Sequence, residues 1–195
     1  MRGLLTTPRA VLDFWFGAPD SPEHGKPREV WFTKSDAFDA EVRERFLPLY
    51  ETAASDGLST WDTAPQSSLA LIIVLDQFPR NIFRHAARAY ATDAAALAAA
   101  ERMVARGWDQ ELEPLERCFV YMPYQHAENP TLQRRSLELF GRLAADAGLV
   151  EPSTWARKHY DVIERFGRFP QRNAVLGRNS TPEEIELLAQ RGSAF

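Results

Sequence analysis

The sequence predicts an all-α fold of about nine helices packed as antiparallel pairs. Three observations predict it. Apolar residues recur at the 3.6-residue rhythm of a helix over most of the chain. Helix-start signatures, a Ser, Thr or Asp leading into proline or an acidic residue, stand before many of those stretches. No segment alternates apolar and polar residues as a half-buried strand does. Short loops then make sequential helices antiparallel neighbours.

Taken in order, Thr7-Pro8 opens a short helix through Val11, Phe14 and Trp15 that stops at Gly17. Prolines 19, 22 and 27 with Gly25 make the next stretch a loop. Ser35-Asp36 caps a long helix with Phe38, Val42, Phe46, Leu49, Tyr50 and Ala53 on one face, and Pro48 inside it is expected to kink or split it. Asp62 to Pro65 starts a buried helix through the run Leu69–Leu75. Thr92-Asp93 caps an alanine-rich helix that ends at Arg106-Gly107. The stripe Leu112, Leu115, Phe119, Met122 is cut by Pro123. Thr131–Gly148 and Ser153–Phe166 are helical, and Thr181-Pro-Glu-Glu184 is a capping box that starts the last helix. Trp15, Phe16, Trp31 and Phe32 are expected to clamp the first helix to the core.

The 195 residues fit one domain, 1–195, or two similar lobes meeting at a pair of related turns. Basic residues number 23 and acidic residues 27, a net charge of −4, which argues against a generic nucleic-acid or polybasic membrane binder and leaves room for a local basic patch. No apolar run approaches the length of a membrane span, and residues 1–7 lack the apolar core of a secretory signal. The single cysteine, Cys118, allows no internal disulfide and fits a cytoplasmic protein. It lies on an apolar stripe and reads as structural. Of the basic residues only Lys26, Lys34 and Lys158 are lysine, so the positive charge rests on arginine forks suited to carboxylate and phosphate.

One short signal occurs twice. Asp76-Gln-Phe-Pro-Arg-Asn81 and Gly167-Arg-Phe-Pro-Gln-Arg-Asn173 each place Phe-Pro and then Arg-Asn after an apolar helix, 91 residues apart at the phenylalanines. The proline is expected to end the helix, leaving the arginine at a helix end, where it can satisfy orphan carbonyls or hold a ligand. The segment Arg157–Arg178 is locally basic. Arg157, Arg165 and Arg168 find helical carboxylate partners at Asp161 and Glu164, whereas Arg80, Arg172 and Arg178 have none nearby in sequence. Candidate ligand-binding residues are therefore Arg80, Asn81, Arg84, Tyr124, Arg168, Arg172, Asn173 and Arg178.

The polar loop between Pro123 and Pro130 supplies His126, a candidate acid–base residue, with Glu128 or another carboxylate to orient it. His126, Glu128, His159 and Asp161 have only weak metal-ligand spacings, so no metal and no cofactor are expected. Walker, G-x-G-x-x-G, G-x-S-x-G and C-x-x-C motifs are missing from the sequence.

The segments Leu75-Asp-Gln-Phe-Pro-Arg-Asn-Ile-Phe-Arg84, Tyr121-Met-Pro-Tyr-Gln-His-Ala-Glu128 and Arg165–Arg178, with Ser180–Glu184, resemble a bacterial family of unknown function, number 924. The resemblance runs over nearly the whole chain from Val11. It implies an all-helical, tetratricopeptide-like stack, although no 34-residue period is visible in the sequence itself. It implies no activity, substrate or cofactor. Gln171 and Ala127 depart from the family pattern, where a histidine and a serine often stand. Arg172, Asn173, Arg178, His126 and Glu128 match it.

The function expected first is a binding module: the two Phe-Pro turns and the 123–130 loop converge on a polar cleft that holds a small anion or an acidic peptide end. The alternatives are an enzyme in which His126 and Glu128 act on an anionic substrate, and a tetratricopeptide-like scaffold for protein partners.

Overall fold

A computed structural model describes residues 6–190. The described residues hold helices and turns and no strand. The helices are α1 (Pro8–Phe16), α2 (Asp36–Ala54), α3 (Pro65–Ile72), α4 (Phe78–Ile82), α5 (Asp93–Ala105), α6 (Pro114–His126), α7 (Pro130–Ala147), α8 (Val150–Phe166) and α9 (Pro182–Ala189). Links of two or three residues fold α6, α7 and α8 into consecutive hairpins, while α5 lies against α3 and α6. One apolar cluster runs through α1 to α8, and a smaller one joins Val162 and Ile163 to Phe169.

Local chemistry explains most boundaries. The Thr7 hydroxyl accepts from Ala10 N at 3.2 Å, and Ser35 does the same for Phe38 N at 3.3 Å. The Thr181–Glu184 capping box forms as expected. Trp15 stacks on Trp31 with ring centroids 6.0 Å apart, and Trp31 Nε1 donates to Trp15 O at 3.1 Å. Phe32 takes little part in this clamp and stays 72% exposed.

The prolines behave differently from expectation. α2 runs through Pro48 unbroken, because Pro48 and Glu44, whose carbonyl it frees, both sit on the solvent side. α6 likewise passes Pro123 and reaches His126, so the expected 123–130 loop shrinks to residues 127–129. Pro152 falls in the first turn of α8, where its missing N–H costs nothing, so that helix starts at Val150 rather than Ser153.

The Phe78-Pro79 step is the most informative difference. It does not end a helix. A π turn over Ile73–Gln77 joins α3 to α4, and Phe78 N donates to Ile73 O five residues back. The wider turn carries the chain past Pro79, which cannot bond to Leu75 O. The Thr92 hydroxyl takes up that carbonyl instead, at 2.6 Å. Thr92 therefore does not cap α5, whose first N–H groups have no side-chain acceptor from it. Asp62 also fails to cap α3, since its carboxylate goes to Ser68, Arg102 and Arg106. The second Phe-Pro segment is built otherwise: Gly167, at φ 68°, closes α8, and Pro170–Arg172 forms a short 3-10 turn.

Thr92→Val keeps the side-chain shape but leaves Leu75 O buried without a donor. It is expected to cost about 1–3 kcal/mol in urea unfolding. The exposed control Thr63→Val should stay within about 0.5 kcal/mol.

Candidate functional site

The π turn places Asp76 inside the protein, fully buried, where that turn lies against α4, α5 and α6. An enclosed carboxylate must find its hydrogen bonds internally. His126 Nδ1 donates to Asp76 Oδ1 at 2.8 Å, and Gln77 Nε2 donates to Oδ2 at 2.6 Å. Arg80 lies one helical turn on, with Nη1 3.4 Å from Asp76 Oδ1 and 2.5 Å from Asp76 O. Burial alone would raise the Asp76 pKa. The Arg80 guanidinium and His126 together outweigh burial and hold it below the ordinary carboxylate range.

Arg80 also closes a fork on Asp93, Nη1 to Oδ1 at 2.9 Å and Nη2 to Oδ2 at 3.1 Å. Arg172 reaches the same Asp93 Oδ2 with Nη1 at 3.3 Å, across 79 positions of sequence. Its Nη2 donates to His126 O at 3.1 Å. Its guanidinium carbon lies 4.5 Å from the Tyr90 ring centre and 4.6 Å from that of Phe169. Burial and the neighbouring Arg80 both press the Arg172 pKa downward. Two arginines and two carboxylates thus balance around His126.

The other candidate residues are not gathered here. Asn81 and Arg84 point to Asp39 on α2, with Arg84 in a two-pronged contact at 2.6 and 2.7 Å, beside a shallow depression of about 280 Å³. Arg178 grips Glu128 at 2.6 and 2.9 Å, and Phe169 N donates to Glu128 as well, at 2.8 Å. Arg168 lies beyond the end of α8 and pairs with Glu184 at 2.7 Å rather than with Glu164. That pair, with Asn173, holds the Glu184 pKa at about 2. Tyr124 is buried in α6.

Three expectations are corrected by this geometry. Glu128 does not orient His126; Asp76 does, because α6 extends to His126 and turns its ring toward the π turn. Arg80 and Arg178 are not without carboxylates. Arg80 has Asp76 one helical turn away, and Arg178 finds Glu128 across the fold. The arginines do not line a single cleft; Arg80 and Arg172 meet, while Arg84, Arg168 and Arg178 fasten other contacts. Asp76, Tyr90 and Asp93 escaped the sequence reading. A lone carboxylate closing the apolar run Leu69–Leu75, four residues before an arginine, was the signal for the first.

His159 lies near this cluster, its ring 6.3 Å from that of His126, and its Nδ1–H donates to Trp155 O at 2.9 Å. Burial pushes its pKa down to about 3, and burial with the Arg80 charge also lowers that of His126. Among the described residues no group of three His, Cys, Asp or Glu is placed to hold a metal ion. Burial raises the Cys118 thiol to about 12, which leaves it unreactive.

Both imidazoles are therefore neutral in the folded state at neutral pH. As pH falls from about 6.5 toward 3 the unfolded chain binds a proton on His159 that the folded chain refuses, and His126 acts in the same direction, so stability falls as pH falls. For His159 the expected slope approaches about 1.4 kcal/mol per pH unit in that window. Urea unfolding across the window should show it, and His159→Phe should flatten it. An imidazole titration at an ordinary 6.5 would refute the assignment.

The family described as bacterial protein of unknown function (DUF924) matches residues 11–192. No curated protein matches the chain. A solved structure of a protein of unknown function from Agrobacterium tumefaciens is similar over 93% of this chain and 96% of that one, at 40% identity and a TM-score of 0.82. An all-helical chain whose family match spans almost its full length belongs to this family of bacterial proteins of unknown function.

Proposed function

We propose that the chain binds a small anionic ligand, a phosphate or a carboxylate, where the guanidiniums of Arg80 and Arg172 converge. The observation that carries this reading is the convergence itself: two forks from distant segments close on one partly exposed carboxylate, Asp93. Asp93 occupies the place an external oxyanion would take, presenting the same two acceptor atoms. It also stands at the first position of α5, whose leading N–H groups lack a side-chain cap from Thr92. The ligand competes with Asp93 for the forks. Arg84, Arg168 and Arg178 hold the surrounding elements and leave the ligand alone.

A second reading has its own observation. The 2.8 Å contact from His126 Nδ1 to buried Asp76 is the pairing that fixes an imidazole tautomer for proton transfer. In an enzyme on this scaffold, His126 takes the proton, Asp76 replaces Glu128 as its orienting group, and Arg80 and Arg172 stabilise negative charge. The consecutive hairpins α6–α8 support the tetratricopeptide-like description of the stack, and one buried cysteine suits a cytoplasmic setting.

Melting curves with millimolar inorganic phosphate or citrate test the anion site. Ligand at ten times Kd contributes about 1.4 kcal/mol, which for a chain of this size is a rise of about 3–6 °C. Asp93→Asn, which frees the forks, is expected to enlarge the shift. Arg172→Ala should abolish it and Arg84→Ala should retain it. If no anion shifts either the native chain or Asp93→Asn, the reading fails.

A further inference from the structure

We infer that His126 makes this site select oxyanions that carry a proton over those that do not, a specificity that rests on the anion-binding reading above. The inference starts from the hydrogen-bond inventory. His126 Nδ1 faces Asp76 Oδ1 at 2.8 Å, and the carboxylate, bound also by Gln77 and Arg80, can only accept. The proton of the neutral imidazole therefore sits on Nδ1. Nε2 is left with a lone pair and no proton, so it can accept a hydrogen bond and cannot donate one.

No residue in the described structure donates to His126 Nε2. The ring is not sealed off, since 14% of the side chain remains exposed. It is tied to both arginines: Arg80 shares Asp76 Oδ1 with it, and Arg172 donates to its backbone oxygen. On this proposal a ligand seated on the two guanidiniums meets donor-only groups from the arginines and the acceptor-only Nε2 of the histidine. Both demands are met by an oxyanion with a hydroxyl of its own, such as hydrogenphosphate. Sulfate at neutral pH satisfies the arginines but sets an oxygen lone pair against the Nε2 lone pair. Burial, with the Arg80 charge beside it, disfavours a proton on His126 that would relieve that clash.

The selectivity belongs to the tautomer, and the tautomer belongs to Asp76. His126 acts here as a specificity-determining group, distinct from the arginines that supply affinity. A purely structural histidine would leave the ratio of the two anions unchanged when it is replaced.

The test is calorimetric titration of the full chain at pH 7 with inorganic phosphate and with sulfate at matched ionic strength. Phosphate is expected to bind at least about tenfold more tightly, the effect of one satisfied against one repelled polar contact. In His126→Phe the ratio is expected to fall to about one, with sulfate affinity unchanged or higher. Equal affinities in the native chain overturn the inference and leave the anion site standing. Binding of neither anion overturns both. A preference that persists in His126→Phe overturns the inference as well. Should that variant fail to fold, nitrogen-15 spectra of the native chain decide. Phosphate must move the unprotonated Nε2 resonance toward a hydrogen-bonded value while sulfate leaves it in place, and the same response to both anions defeats the proposal.

Discussion

A carboxylate shut off from water has to draw its counter-charge and hydrogen bonds from the protein, and Asp76 draws them from three elements. Arg80 comes from the next helical turn, Gln77 from the π turn, and His126 from the end of α6. The penalty for an ionised group in such a place is several kcal/mol when it is left unpaired. The elements that supply its partners are consequently fixed relative to one another. Arg80 then carries the constraint to Asp93 and the start of α5, and Asp93 passes it to Arg172 and the C-terminal segment.

The π turn and Pro79 belong to the same arrangement. A regular helix would drive the proline ring against Leu75 O, and the extra residue in the turn avoids that contact. Side chains bond to carbonyls at this junction, Thr92 to Leu75 O and Arg80 to Asp76 O. Thr92 and Asp93, adjacent in sequence, therefore serve opposite ends of one junction. The irregular backbone and the charged cluster are two aspects of one local solution, and the proposed ligand site lies where that solution reaches solvent.

The C-terminal segment closes over this junction through ion pairs together with one small apolar anchor. Phe169 anchors in a small cluster with Val162 and Ile163, and α9 docks on the 170–172 turn with Glu184 buried against Arg168 and Asn173. Arg178 joins the segment to Glu128. These contacts explain the arginine-rich stretch without a ligand on each arginine. They also leave Arg172, packed against Tyr90 and Phe169, as the residue through which the segment touches the cluster.

Much of the fold was legible in the sequence because it depends on neighbours three or four residues apart. The apolar faces of α2, α7 and α8, the Thr7 and Ser35 caps and the Thr181–Glu184 capping box are local chemistry, and so is the absence of any alternating strand pattern. His126, Arg80 and Arg172 stood out for the same reason: they are polar groups at places where a helix pattern changes. Their partners were not legible. Asp76 reaches His126 across 50 positions, Glu128 reaches Arg178 across 50, and Asp93 reaches Arg172 across 79. Sequence spacing tells which charges share a helix face, not which distant charges meet in the interior. Whether a proline stops a helix was likewise decided by tertiary structure. Pro48 runs on because solvent takes up the carbonyl it frees, and Pro79 runs on because Thr92, brought from another helix, donates to Leu75 O.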